Sequence, residues 1–231
     1  MRIAAALLAL LGAGNACLGA VDPGAATLPR LEYVPLAPGS YELQRIQSVP
    51  DARLLDERGR LLPLRPLLRG KITLLTFFYT YCADPIGCPY AHEVMRQVRE
   101  GLLREPALAA GSRLLGISFD PANDTPPALS RYAAANIPDD RVEWRLRTAR
   151  SVPELLPLLQ DLGQDVSVQT DEQGRPTRTL HHMLKMYLID AQGSVREIYT
   201  LAFLQPQVIL NDIKTLQLEA GRAARHSASA R

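Results

Sequence analysis

The stretch Ile72 to Tyr79, I-T-L-L-T-F-F-Y, is rich in apolar, aromatic and β-branched residues and shows no regular polar alternation. A run of that kind reads as a strand buried on both faces of a sheet. Immediately after it, Cys82 and Cys88 bracket a loop that contains Asp84, Pro85 and Gly87. Val94, Met95 and Val98 then recur at helical spacing. Pro89 suits a first helical position, which predicts Cys88 as the N-cap residue. A thiol there faces unpaired backbone N–H groups and the positive end of the helix dipole. Cys88 is therefore expected to be the more acidic of the two cysteines.

The remainder of the chain is organised around this strand–loop–helix unit. A length of 231 residues accommodates one domain with extensions. Hydrophobic residues at 47% and charged residues at 22% describe an ordinary globular chain, and a net charge of +2 favours no particular partner, nucleic acid included. Met1-Arg2, the apolar run Ile3 to Gly12 and small residues up to Ala20 make residues 1–20 a secretory signal peptide, which implies export to a bacterial periplasm. Cys17 lies where a lipoprotein would carry its lipid, although Gly14 stands where a large aliphatic residue is expected; membrane attachment would run through Cys17. Residues 21–50, with Pro23, Pro29, Pro35, Pro38 and Pro50, form a leader, residues 51–219 the domain, and residues 220–231 a basic tail expected to lack structure.

Within the domain, Leu54 to Leu64 reads as a hairpin with a turn at Gly59, and Arg113 to Phe119 and Val142 to Leu146 as further strands. Helices are predicted from Thr125 through Ala135 and from Ser151 through Leu162, the second interrupted by Pro157. Gly163 to Thr179 is a polar excursion with a turn at Asp171 to Gly174. Met183 to Asp190 and Val195 to Tyr199 are two strands joined by a tight turn, and an amphipathic helix starts at Gln205. Alternating strands and helices closed by a hairpin and a helix predict an α/β sandwich with a partly parallel sheet. No nucleotide-binding glycine loop is present.

Two cysteines on a strand-to-helix junction suit thiol chemistry, since thioredoxin-like redox sites occupy such a junction. In an oxidising compartment Cys82 and Cys88 can pair as a disulfide. Among the histidines, His226 lies in the tail and His92 reads as a solvent-facing residue of the site helix. His181 and His182 precede the strand Met183 to Asp190. In a thioredoxin-like sheet, the turn before that strand faces the cysteine loop. Two thiolates and one imidazole suit copper, because sulfur selects Cu(I) and the imidazole helps to hold Cu(II). A structural zinc site would need a fourth ligand.

The chain resembles the Sco/SenC family, thioredoxin-fold copper proteins that serve cytochrome c oxidase. Three blocks carry the resemblance: F-F-Y-T-Y-C with the later C-P, I-S-F-D-P-A-N-D-T-P-P-A-L from Ile117 to Leu129, and H-M-L-K-M-Y-L-I-D from His182 to Asp190. It implies a thioredoxin-like fold with a central mixed sheet and an N-terminal hairpin extension. It also implies that Cys82, Cys88 and His182 ligate copper, and that Asp120 is an acidic residue beside the site. The implied partners are a copper acceptor such as a cytochrome c oxidase subunit and proteins that exchange thiols and disulfides. One departure concerns the loop: the family usually places three residues between its cysteines, whereas Ala83 to Gly87 makes five here.

Two other readings compete. A metal-free thiol–disulfide oxidoreductase would normally show Cys-x-x-Cys and a proline immediately before the strand opposite the site. Here Pro176 stands well before His181-His182. A disulfide-stapled interaction module would instead use Arg141, Arg145, Arg147 and Arg150 as a docking face.

Overall fold

The computed structural model describes residues 33–82, 84 and 86–229. The expected signal peptide and Cys17 lie outside the described residues. From Tyr33 the leader runs into the short strand β1 (Gln47–Ser48). Strands β2 (Arg53–Leu55) and β3 (Leu61–Pro63) then form the N-terminal hairpin. Its turn is closed by Asp56, whose carboxylate accepts the N–H groups of Arg58 and Arg60 at 3.0 and 2.8 Å, and by Gly59 at φ +74°. A short helix, α1 (Leu64–Leu68), leads into β4 (Ile72–Phe78).

All seven residues of β4 are buried. Helix α2 (Cys88–Leu103) and the short α3 (Pro106–Ala110) return the chain to β5 (Ser112–Ser118), which pairs parallel with β4 and is equally buried. Next come α4 (Pro126–Asn136), β6 (Glu143–Arg147), parallel to β5, and α5 (Val152–Asp161) with Pro157 inside it. Strands β7 (Val166–Thr170) and β8 (Pro176–His182) pair only with each other. The antiparallel pair β9 (Lys185–Ile189) and β10 (Ser194–Thr200) follows, then α6 (Pro206–Ser229).

The main sheet runs β1-β10-β9-β4-β5-β6. With β9 antiparallel and β5 parallel to it, β4 occupies the middle, and the sheet is the mixed one the sequence predicts. Thr76, Phe78, Gly116, Trp144 and Leu146 share a cavity with residues of α2 and α4, which places those helices over one face. On the other, Leu75 pairs with Tyr187, whose hydroxyl donates to Leu162 O at the end of α5 (2.9 Å).

Two segments differ from the sequence reading. The polar stretch Gly163 to Thr179 contributes a hairpin, β7–β8, because its Asp171 turn is closed by carboxylate bonds to Gln173 N and Arg175 N at 3.0 and 2.9 Å. The segment from residue 220 continues α6 as helix to Ser229. The leader is held against α6: Asn211 Nδ2 donates to Leu36 O at 2.8 Å, Gly39 N to Thr215 Oγ1 at 2.9 Å, and Tyr41 to Asp212.

Helices α2 and α6 meet at Gly101. A Cβ there would come within 2.3 Å of Leu210 Cδ1. The side chain of Leu210 can yield to one methyl group but not to a branched one. Gly101→Val is thus expected to destabilise the fold by about 1–3 kcal/mol through overpacking. Thermal unfolding of the variant checks this; a melting temperature equal to wild type would show that Leu210 moves aside freely.

Candidate metal centre

Beyond Phe78 the chain turns, and Cys82 N donates back to Tyr79 O at 3.4 Å. The turn is pinned from below by Asp124, which is fully buried. Its carboxylate accepts Thr80 N at 3.0 Å, Thr80 Oγ1 at 2.5 Å and Ser118 Oγ at 2.6 Å. Burial raises the Asp124 pKa against the pull of these donors. Asp120 holds the neighbouring residue by accepting the Tyr81 hydroxyl and Asn123 Nδ2, the latter at 2.8 Å. Burial and the bond to Asp120 push the Tyr81 phenol up to about 12. The Arg178 guanidinium, carried on β8, lies 4.8 Å from the Tyr81 ring centroid, a cation–π contact that ties the β7–β8 hairpin to the cysteine loop.

The two thiols are free and unequal. Cys88 is only 5% exposed, whereas Cys82 is half-buried at the loop. The Cys88 S–H donates to Cys82, as do the Tyr79 hydroxyl and the backbone N–H groups of Cys88 and Asp84. Together they outweigh desolvation and lower the Cys82 pKa to about 5. Giving its proton to that bond, and then burial, raise Cys88 well above the ordinary thiol range. The reduced pair is thus a Cys82 thiolate backed by a protonated Cys88.

His182 closes β8, opposite Val166 in β7. Its ring lies against Phe119, with centroids 4.8 Å apart, and edge-on to Tyr79 at 6.1 Å. Nδ1 is 3.0 Å from Leu180 O, a contact only a ring N–H can make, so the lone pair falls on Nε2. Nε2 is buried and has no hydrogen-bond partner. An imidazole held by a carbonyl on one nitrogen and left bare on the other has the arrangement usual for metal-ligating histidines. Cys82, His182, Tyr79, Asp84 and Ile86 line one cavity of about 470 Å³, with the exposed His181 also on its wall. Among the described residues no three His, Cys, Asp or Glu side chains stand close enough to hold a metal ion as they are. The donor types therefore fit a soft cation, but the ligands have to converge to bind one.

The SCO1/SenC family model matches residues 47–217. The chain belongs to the SCO1/SenC family. The match runs from β1 into α6 and spans the cysteine loop, the Asp120–Asp124 segment and His182. Solved structures agree at the level of the fold. ScoI of Bradyrhizobium japonicum with copper bound is 23% identical, with TM-score 0.58 over 72% of this chain and 98% of that one. A SCO1/SenC family lipoprotein from Bacillus anthracis is 22% identical, with TM-score 0.61 over 74% and 95%. Yeast Sco1 with copper bound is 20% identical, with TM-score 0.57 over 73% and 90%. These likenesses establish a thioredoxin-like fold. No curated protein matches the chain.

Within this SCO1/SenC chain several sequence expectations change. Gly87, not Cys88, is the N-cap of α2, so Cys88 lies inside the first turn. The more acidic thiol is Cys82: burial and the shared proton at Cys88 override the helix-terminus argument. His182 ends a strand rather than sitting in a turn. His92 is half-buried instead of solvent-facing and stacks on Trp144 at 5.0 Å. The arginine cluster is not a free basic face, since Arg141, Arg145, Arg147 and Arg150 pair with Asp139, Glu143, Glu57 and Glu154 at 2.9–3.2 Å. Sequence reasoning passed over Asp124 and Tyr79. The second acid of D-P-A-N-D-T-P was the available signal for Asp124, but nothing local reveals that the Tyr79 hydroxyl reaches Cys82.

The inequality of the thiols predicts a measurable order of reaction. In the reduced protein Cys82 is expected to alkylate first and to keep its rate down to about pH 5, below which the thiolate is protonated and the rate falls. Tyr79→Phe removes one donor to that thiolate and should move the fall to higher pH. Iodoacetamide rates against pH, with the modified residue mapped by mass spectrometry, check both statements. Faster labelling of Cys88 would reverse the assignment.

Proposed function

We propose that this chain binds one copper ion through Cys82, Cys88 and His182 outside the cytoplasm and delivers it to a respiratory copper centre such as that of cytochrome c oxidase. The single observation that carries the reading is the buried, unpartnered Nε2 of His182, a residue that lines the same cavity as Cys82. Family membership and the copper-bound state of the Bradyrhizobium and yeast structures support copper as the cargo. Thiolates favour Cu(I), and the imidazole extends the site towards Cu(II). Loading means deprotonating Cys88 and drawing the β7–β8 hairpin and the dithiol together. Arg178 on Tyr81 already links these two segments. Ile86 and Met183, both more than half exposed, line the cavity and offer an acceptor protein an apolar contact. Asp120 acts through Tyr81, holding the base of the cysteine loop.

Reduced protein titrated with copper should take up one ion at this site, and the Cu(II) form should show sulfur charge-transfer colour. Colourless protein that retains no copper would exclude the reading. A second reading rests on the hydrogen-bonded thiol pair. A thiolate beside a protonated partner is equipped for thiol–disulfide exchange, so the same dithiol would reduce cysteines of the acceptor. That activity should survive loss of His182, whereas copper binding should not.

The location outside the cytoplasm rests on the sequence of residues 1–20. The envelope-fraction protein should begin between Cys17 and Ala26, or at an acylated Cys17 if it is membrane-attached; intact Met1 on cytoplasmic protein would contradict export. Among the described residues no helix is long and apolar enough to cross a membrane.

A further inference from the structure

A second cavity, of about 20 Å³, has Cys88 but neither Cys82 nor His182 in its lining. Its walls come from β4, β5, β6, α2 and α4 and include Cys88, His92, Met95 and Trp144. A space of that size holds about one water molecule, or one bare metal ion. Cys88, His92 and Met95 stand at positions i, i+4 and i+7 of α2, on one face of the helix. Each carries a donor type that soft cations prefer: cysteine sulfur, imidazole and thioether. His92 is ordered for such a role, since it stacks on Trp144 at 5.0 Å and 28° and meets Tyr132 edge-on at 6.1 Å. One of its ring nitrogens donates to the Asn136 backbone, so the lone pair of the neutral ring is on the other.

We infer that Cys88, His92 and Met95 form a second, rear position for a single Cu(I) ion in the apolar cavity between α2 and the sheet. The position goes beyond the function proposed above and shares only Cys88 with it. Binding exchanges the Cys88 proton for the cation, the proton leaves to solvent, and no electron is transferred. The surrounding Phe78, Tyr132 and Leu146 exclude water, which favours the low-coordinate monovalent ion over hydrated Cu(II). With Cys88 common to both positions, the front and rear ligand sets compete for one thiolate.

Trp144 reports on the rear position, because it is the single tryptophan of the chain and lies against His92. Reduced, anaerobic full-length protein is titrated with Ag(I), a redox-inert stand-in for Cu(I), while Trp144 fluorescence is followed. The inference expects saturable quenching in wild type and in His182→Ala, which leaves the rear ligands whole. His92→Phe keeps the aromatic stack and should abolish the quenching. Met95→Leu keeps the volume and should weaken it about tenfold, which provides a second test should the His92 variant fold poorly. Absence of quenching in wild type, quenching unchanged in both rear variants, or quenching lost in His182→Ala would each overturn the rear site. The first and second outcomes leave copper binding by His182 untouched, so failure here is distinguishable from failure of the proposed function.

Discussion

Replacing His182 by alanine is expected to weaken Cu(I) affinity by about a hundredfold or more, while His181→Ala changes it only severalfold. Loss of a residue that merely orients a ligand costs about 10–100-fold, so loss of the ligand should meet or exceed the upper end. The asymmetry follows from β8. Both histidines line the cavity, but His181 is exposed while His182 packs against Phe119 with its Nε2 buried and bare. The dithiol remains in both variants, so thiol–disulfide exchange should continue in each. Competition titration with a Cu(I) chelator, run beside a disulfide-exchange assay, measures the two properties separately. Equal loss in both variants would place the wrong histidine at the site. No loss in either would mean that the longer cysteine loop works without His182, and the oxidoreductase reading would stand.

The largest stability effect is expected at Asp124. Asp124→Ala should cost about 3–5 kcal/mol, because it removes a fully buried carboxylate that is the common acceptor of three donors. Ser118 Oγ would be left without that partner in the buried interior, and Thr80 N–H and Thr80 Oγ1 would lose it at a half-buried turn. At about 2–4 °C per kcal/mol for a domain of this size, the melting temperature should fall by about 10 °C. Burial raises the folded-state pKa of Asp124 above its unfolded value. A raised carboxyl contributes its pH-linked stability below the unfolded pKa of about 4 and loses it as pH climbs through the folded value. The penalty of the variant should therefore be larger at pH 4 than at pH 7. Chemical unfolding of both proteins at the two pH values tests size and sign; a change below about 1 kcal/mol would mean that the Thr80 turn is held by other contacts. Because Thr80 lies two residues before Cys82, the variant should also blur the acidity difference between the thiols.

These effects differ in how far they could be foreseen. The position of β4 in the sheet was readable because burial on both faces leaves a local trace: a strand without polar alternation. The cysteine junction, the β9–β10 hairpin and the final helix left similar traces in spacing and turn residues, and the three blocks that resemble the SCO1/SenC family pointed to its fold. The β7–β8 hairpin left only its turn at Asp171 to Gly174, since its strands are mostly polar and their apolar residues Val166, Val168 and Leu180 are too few to mark a strand pattern; its stability comes from that turn and cross-strand pairing. By itself, therefore, the sequence determined the buried strand, the order of elements and the residue types available for chemistry, all of which are local consequences of pattern. Only the tertiary structure decided which thiol is acidic, which histidine nitrogen is bare and that His92 faces Trp144. Each of those depends on a partner distant in the chain or on burial by another element, and neither is encoded in neighbouring residues.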